Sequence, residues 1–330
     1  MRQRQRDIKM DSIKGLLIIL VVLGHCLENT SNEGMMRVIY NGIYSFHMPL
    51  FVFISGYFTN IHKDKKQMLL SIINLILIYI IFQSIKSIPD IIEDRFSFTN
   101  FIIYPQWTMW YLLSIIYWRT ASLFIQLCSI RINYRLVVLT FLISILCGYI
   151  PYGNEFSIQR TLFYCFPFTL GLYIREKQKI SLIYNIKPYI ILLALILSIA
   201  AILLFNERNM YWLLYGNCHY LSQPITLELC PIVRIAQIIL STLVCIVFVK
   251  FCPSKSFLAN IGKNTMFIYI YHSSVINMLK YINFNCNDVC MLFISLILTF
   301  ATLYIFNKIP IFHYLINPLN STREILFRPH

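Results

Sequence analysis

Residues 11–28, DSIKGLLIILVVLGHCLE, decide the fold. From Gly15 to Leu27 this stretch is apolar apart from His25, and Lys14 stands at its start. Eleven residues separate Lys14 from His25, which at ~100° per residue is about 20° from three full turns, with a rise of roughly 16 Å. Both side chains therefore share one stripe of a helix. The cation lies near one membrane face and the imidazole deep within. A polar pair so placed in a bilayer is costly and marks function.

Working outward, the composition extends the same reading. Hydrophobic residues make up 58% of the 330 and charged residues only 13%, with a mean hydropathy of +0.66. These values exclude an ordinary soluble domain. Ten apolar segments can be drawn, at 12–30, 36–58, 67–88, 108–128, 136–150, 157–174, 188–205, 225–249, 264–283 and 289–309. The segment 136–150 is the shortest for a bilayer. No cleavage site follows the first run, so it reads as a span rather than a signal peptide. The expectation is an all-α, polytopic integral membrane protein of about ten transmembrane helices, forming one domain over 1–330.

Orientation follows from the lysines and arginines. RQRQRDIK, HKDKK, RINYR, REKQK, KFCPSK and the C-terminal tail fall on one side and hold most of the 28 basic residues. Asp90, Glu93, Asp94, Glu155, Glu207 and Asp288 fall on the other. The asymmetry predicts N-in, C-in, which an even number of spans satisfies. The net charge of +14 is then explained by topology and anionic lipid, with no nucleic-acid partner implied. Ten cysteines are scattered without a C-x-x-C pair; Cys286 and Cys290 flank one outer loop. No Gly-rich phosphate loop, zinc-spaced cluster or G-x-S-x-G elbow is present, so no metal is expected and chemistry falls to intramembrane polar residues.

Among these, His25 is the strongest candidate, because imidazole takes a proton from a hydroxyl near neutral pH. Asp7, Asp11 and Lys14 form an i, i+4, i+7 series that either anchors the inner end of the helix or receives a charged ligand. In YSFHMPLFVFISGYF (44–58), His47 precedes Pro49, whose missing N–H loosens a helix. Arg119 sits about halfway along the fourth segment and needs an anion or a backbone cage. His272, in GKNTMFIYIYHSSVI (262–276), lies mid-segment beside Ser273 and Ser274. Arg160 stands at the outer end of the sixth segment. Glu228 and Arg234 are six apart and do not share a helix face.

Taken in order, RDIKMDSIKGLLIILVVLGH, FHMPLFVFISGYF, WTMWYLL, the F-x-F-x-x-G-x-Y-I-R-E-K of 166–177 and GKNTMFIYIYHSSVI resemble the membrane-bound acyltransferase 3 family. The likeness is to its branch of fucose 4-O-acetylase-like sugar O-acetyltransferases, and it covers nearly the whole chain. The resemblance implies ten transmembrane helices and transfer of an acyl group to a carbohydrate. The donor is usually cytoplasmic acetyl-CoA and the acceptor lies at the outer face. The family's first-helix basic residue and histidine match Lys14 and His25; lysine keeps the charge of the commoner arginine but not its fork. In the third segment this chain departs from the family's arginine-rich, proline-containing pattern, and Lys65 and Lys66 stand there instead.

The chemistry expected is a sugar hydroxyl, deprotonated by His25, attacking the thioester of acetyl-CoA directly; an acetyl-histidine intermediate is the other route. His47, His272 and Arg119 are the supporting or oxyanion candidates. Lys14, Asp11, Lys65 and Lys66 are the donor-binding candidates, with Arg6, Lys9 and Lys63 on the same basic surface. No bound cofactor is expected. The partners are acetyl-CoA as donor, a cell-surface polysaccharide or lipid-linked precursor as acceptor, and membrane lipid, in a bacterial cytoplasmic membrane. A transporter or flippase for a lipid-linked glycan or an anion is the competing class.

Overall fold

A computed structural model describes residues 7–28, 30, 34–151, 153–207, 212–223, 225–280 and 287–319. Among the described residues every regular element is a helix. Helix is found in all ten expected segments. Five stretches are long and apolar enough to cross a membrane: Ile8–Leu27, Gly34–Phe58, Lys65–Ile92, Cys230–Phe251 and Asp288–Phe306. The segment that reads as short from sequence is short here too, a helix over Tyr134–Leu146 closed by a 3-10 turn at Cys147–Tyr149.

Two segments are interrupted, each where a proline dictates it. The chain runs as Gly34–Tyr44 and then His47–Phe58, and again as Ile158–Phe163 and then Cys165–Glu176. Pro49 cannot donate to the carbonyl of Ser45, nor Pro167 to that of Phe163, so the helix stops at or just before those carbonyls and restarts. Each proline then lies in the first turn of the new helix, where its missing N–H costs nothing. The Pro49 effect is thus a break ahead of His47 rather than a kink beyond it.

The described chain divides into two compact units. One draws on residues 1–54, 178–214 and 236–303, the other on 55–177, 215–235 and 304–330. In the first unit, Ile8–Leu27 packs along Ser256–Lys263 and Thr265–Lys280. Two glycines set that approach. A Cβ on Gly15 would stand 2.0 Å from the Leu258 carbonyl oxygen, and one on Gly262 1.9 Å from that of Asp11. In lipid, where burial between helices gains little, such backbone approach supplies the packing. Ser12 reinforces it, its hydroxyl donating to the Lys255 carbonyl (3.0 Å) and accepting from the Lys255 N–H (3.1 Å). Lys9 donates to the carbonyls of Lys250 and Cys252, so its ammonium caps the C-terminus of Cys230–Phe251, the end a cation favours.

In the second unit, Tyr134–Leu146 packs on Cys165–Glu176, and Lys65–Lys86 on Trp110–Leu127. Gln83, buried, holds the chain after Phe101 in place. Its amide donates to the carbonyls of Phe101 (3.0 Å) and Tyr104 (2.9 Å) and its oxygen accepts from the Gln106 N–H (2.9 Å). One glutamine thereby satisfies three backbone groups that irregular chain leaves open.

Candidate active site

The first unit carries the candidate site, and the local sequence builds it from the helix Ile8–Leu27. Asp7 caps that helix by accepting from the Met10 N–H (3.1 Å). One turn on, the buried Asp11 carboxylate meets the Lys14 ammonium at 2.6 Å. The Asp7–Asp11–Lys14 series therefore anchors this end of the helix, and the Lys14 charge is balanced within its own turn.

At the other end, His25 and Glu28 are three residues apart and face each other, Nδ1 to Oε1 3.3 Å. The helix Gly34–Tyr44 brings two tyrosines to the same carboxylate oxygen. Tyr44 donates to Glu28 Oε1 at 2.6 Å and Tyr40 at 3.3 Å. The two rings, one helical turn apart, stack at 4.0 Å between centroids. The Tyr44 oxygen also lies 3.2 Å from His25 Nδ1. With the Tyr44 proton directed to Glu28, that oxygen and the carboxylate are both acceptors for Nδ1–H. The proton of neutral His25 is thus on Nδ1 and the basic lone pair on Nε2. Gly24 makes room for this arrangement, since a Cβ there would touch the Tyr44 ring at 3.0 Å.

Two more imidazoles complete the cluster. His272, from Thr265–Lys280, lies with its ring 5.3 Å from that of His25. His47 meets the Tyr44 ring edge-on at 4.7 Å. Each donates Nδ1–H to the carbonyl four residues back, His47 to Ile43 (2.8 Å) and His272 to Ile268 (2.9 Å). A carbonyl only accepts, so these rings too are held with Nε2 as the basic nitrogen. Exposure separates the three: the His25 side chain is 14% exposed, His47 2% and His272 0%. His25 is the most exposed of the three imidazoles.

Sequence reading names His25, His47 and His272, and one unit brings them together. It misses Glu28, Tyr40 and Tyr44; the H-x-x-E spacing at the end of the apolar run is the signal that would have found the first of them. Arg119, half-buried in Trp110–Leu127, and Lys65 and Lys66, exposed at the start of Lys65–Lys86, belong to the second unit. Asp64 caps the latter helix by accepting from the Gln67 N–H (3.0 Å). Arg6 and Cys286 lie outside the described residues.

Together these groups make an oriented base, a carboxylate able to stabilise its imidazolium, and neighbouring polar rings. Such a set moves a proton from a hydroxyl. NolL of Sinorhizobium fredii (strain NBRC 101917 / NGR234), a nodulation protein, is 54% identical over 57 residues, 16% of this chain and 15% of the relative. The nodulation protein NolL of Mesorhizobium japonicum (strain LMG 29417 / CECT 9101 / MAFF 303099) is 42% identical over 59 residues, 17% of this chain and 16% of the relative. The chain thus spans only about a sixth of the length of these curated relatives. No solved structure matches it. The profile of a family described as "Acyltransferase domain" matches residues 7–308, nearly the whole chain, and the protein belongs to that acyltransferase family.

Proposed function

We propose that this protein is a membrane-bound O-acyltransferase that moves an acetyl group from cytoplasmic acetyl-CoA to a hydroxyl of a cell-surface polysaccharide or its lipid-linked precursor. The observation that carries the reading is the His25 Nδ1–H, turned toward Glu28 and Tyr44 so that Nε2 is the base. In the step proposed, Nε2 takes the hydroxyl proton as the oxygen attacks the thioester carbonyl. The tetrahedral intermediate then collapses with loss of the C–S bond, and the proton passes from Nε2 to the departing thiolate. The Glu28 carboxylate stabilises the imidazolium between these events. His47 and His272 set the polar surroundings of the base, and Arg119 is a further supporting candidate.

The donor's phosphates suit a basic cytoplasmic surface. Lys65 and Lys66, both exposed, are its candidate contacts in this reading. Lys14 and Asp11, already paired, serve as a local dipole rather than as a single charge. The ten apolar segments are ten spans in this reading, with both termini cytoplasmic in a bacterial cell membrane, and residues 1–330 act as one domain.

The test is to express wild type and His25→Ala in a host that makes surface polysaccharide, confirm that both reach the membrane, and measure alkali-labile acetate by NMR. Acetate with wild type and none with His25→Ala is the expected result. Equal acetate in both removes His25 from the chemistry. A wild type that neither acetylates glycan nor hydrolyses acetyl-CoA when purified shifts the reading to transport.

A further inference from the structure

Arg234 is the largest fully buried side chain in the described structure, at 0% exposure. It sits near the start of Cys230–Phe251, one of the apolar stretches able to cross a membrane. Its Nη2 donates to the Cys218 carbonyl at 3.2 Å. Its Nε and Nη1 are buried and meet no acceptor among the described residues. No carboxylate pairs with it there.

Two aromatic faces do contact the guanidinium, Phe163 at 4.6 Å and Tyr220 at 5.3 Å from the ring centroids. Their attraction offsets only part of the cost of taking a cation out of water. Arginine cannot escape that cost by losing its proton. The rings therefore shape the site without balancing the charge. A second guanidinium deepens the imbalance. Arg160 lies over the Trp110 ring at 5.0 Å, and both arginines are within electrostatic reach of Cys218 and Tyr164.

From this geometry we infer that Arg234, flanked by Arg160 and walled by Phe163 and Tyr220, binds an oxyanion, a carboxylate or phosphate carried by one of the protein's substrates. The two open N–H nitrogens supply charge-assisted hydrogen bonds that an oxyanion accepts and a neutral hydroxyl matches poorly. The aromatic walls exclude water and suit the ring of an acidic sugar as well as a phosphorylated one. Binding stands on the guanidinium itself. That the anion belongs to a substrate of acyl transfer rests on the proposed function.

The experiment is thermal unfolding of the purified full-length protein in detergent, titrated with inorganic pyrophosphate, with glucuronate and with neutral glucose. A saturable rise in Tm with one of the two anions and none with glucose is expected, and which anion acts tells phosphate from carboxylate. Arg234→Met, of similar volume, should fold at least as stably, because it removes a buried charge, and should lose the anion response. Arg160→Gln should weaken half-saturation about tenfold, the loss of one charge-assisted contact. If Arg234→Met does not fold, Arg234→Lys replaces it. That variant keeps charge but not the fork, and should also raise half-saturation about tenfold. Anion responses unchanged in the Arg234 variant that folds, or no response in wild type, overturn the inference. His25→Ala should keep the full anion response, so failure of the catalytic reading and failure of this one are distinguishable.

Discussion

Glu28 gathers three donors on one oxygen, the Tyr40 and Tyr44 hydroxyls and the His25 Nδ1–H. That arrangement fixes which His25 nitrogen is basic and supplies negative charge beside the ring that would become cationic in the proposed step. Glu28→Gln keeps the shape and an accepting oxygen but removes the charge. Turnover should fall about 10–100-fold, by analogy with the carboxylates that orient metal-bound histidines, with acceptor KM nearly unchanged, because the charge acts in the transition state. Steady-state acetyl transfer by the purified variant measures both; undiminished turnover would reduce Glu28 to a structural anchor. Tyr44→Phe deletes the hydrogen bond to Glu28 and the contact with His25 Nδ1, each worth roughly 1 kcal/mol, so about a 5–30-fold loss is expected in the same assay. The histidines of this cluster are legible in sequence because imidazoles stand out in apolar runs. Glu28 is not, since a carboxylate closing such a run reads as the interface. Tyr40 and Tyr44 are two among 22 tyrosines, and only folding marks them.

The helix boundaries show why elements were readable while their contacts were not. Hydropathy marks each apolar run, and Pro49 and Pro167 mark where two of them break. Nothing in a run tells which other run it meets. His25 and His272 are 247 positions apart, yet their rings lie 5.3 Å apart. The His25 helix meets Ser256–Lys263, the helix just before that of His272, at Gly15 and Gly262, where backbone touches backbone. Gly262→Ala places a methyl against the Asp11 carbonyl, a neighbour that cannot rotate away. A loss of about 1–3 kcal/mol is expected, visible as a lower Tm in detergent. Gly24→Ala presses instead on the edge of the Tyr44 ring, which can shift by a few tenths of an ångström. Its Tm should stay close to wild type while acetyl transfer drops, since Tyr44 orients His25 and Glu28. Equal losses of stability in the two alanine variants would contradict this division between a packing glycine and a positioning one.

At the scale of the whole molecule, the charge asymmetry of the loops makes a geometric claim independent of any single site. With both termini inside and ten crossings, the Cys128 loop faces the cytoplasm and the Cys290 loop faces outward. Both thiols are exposed, so each can report its own side. In variants retaining one of these cysteines alone, a membrane-impermeant maleimide should label Cys290 in intact cells and Cys128 only after permeabilisation. Labelling of both from the same side would require an even number of crossings between residues 128 and 290, where the ten-span reading has five. The result bears directly on chemistry. Acetyl-CoA is cytoplasmic and a surface glycan is not, so a reaction joining them needs a path through the bilayer. In the proposed reaction, Lys14 and His25, eleven residues apart on one helix, would mark out roughly 16 Å of that path. Opposite-side labelling would therefore support the ten-span topology that the proposed reaction requires. Same-side labelling would overturn the ten-span arrangement and with it the assignment of the Lys14 and His25 ends of the first helix to opposite faces.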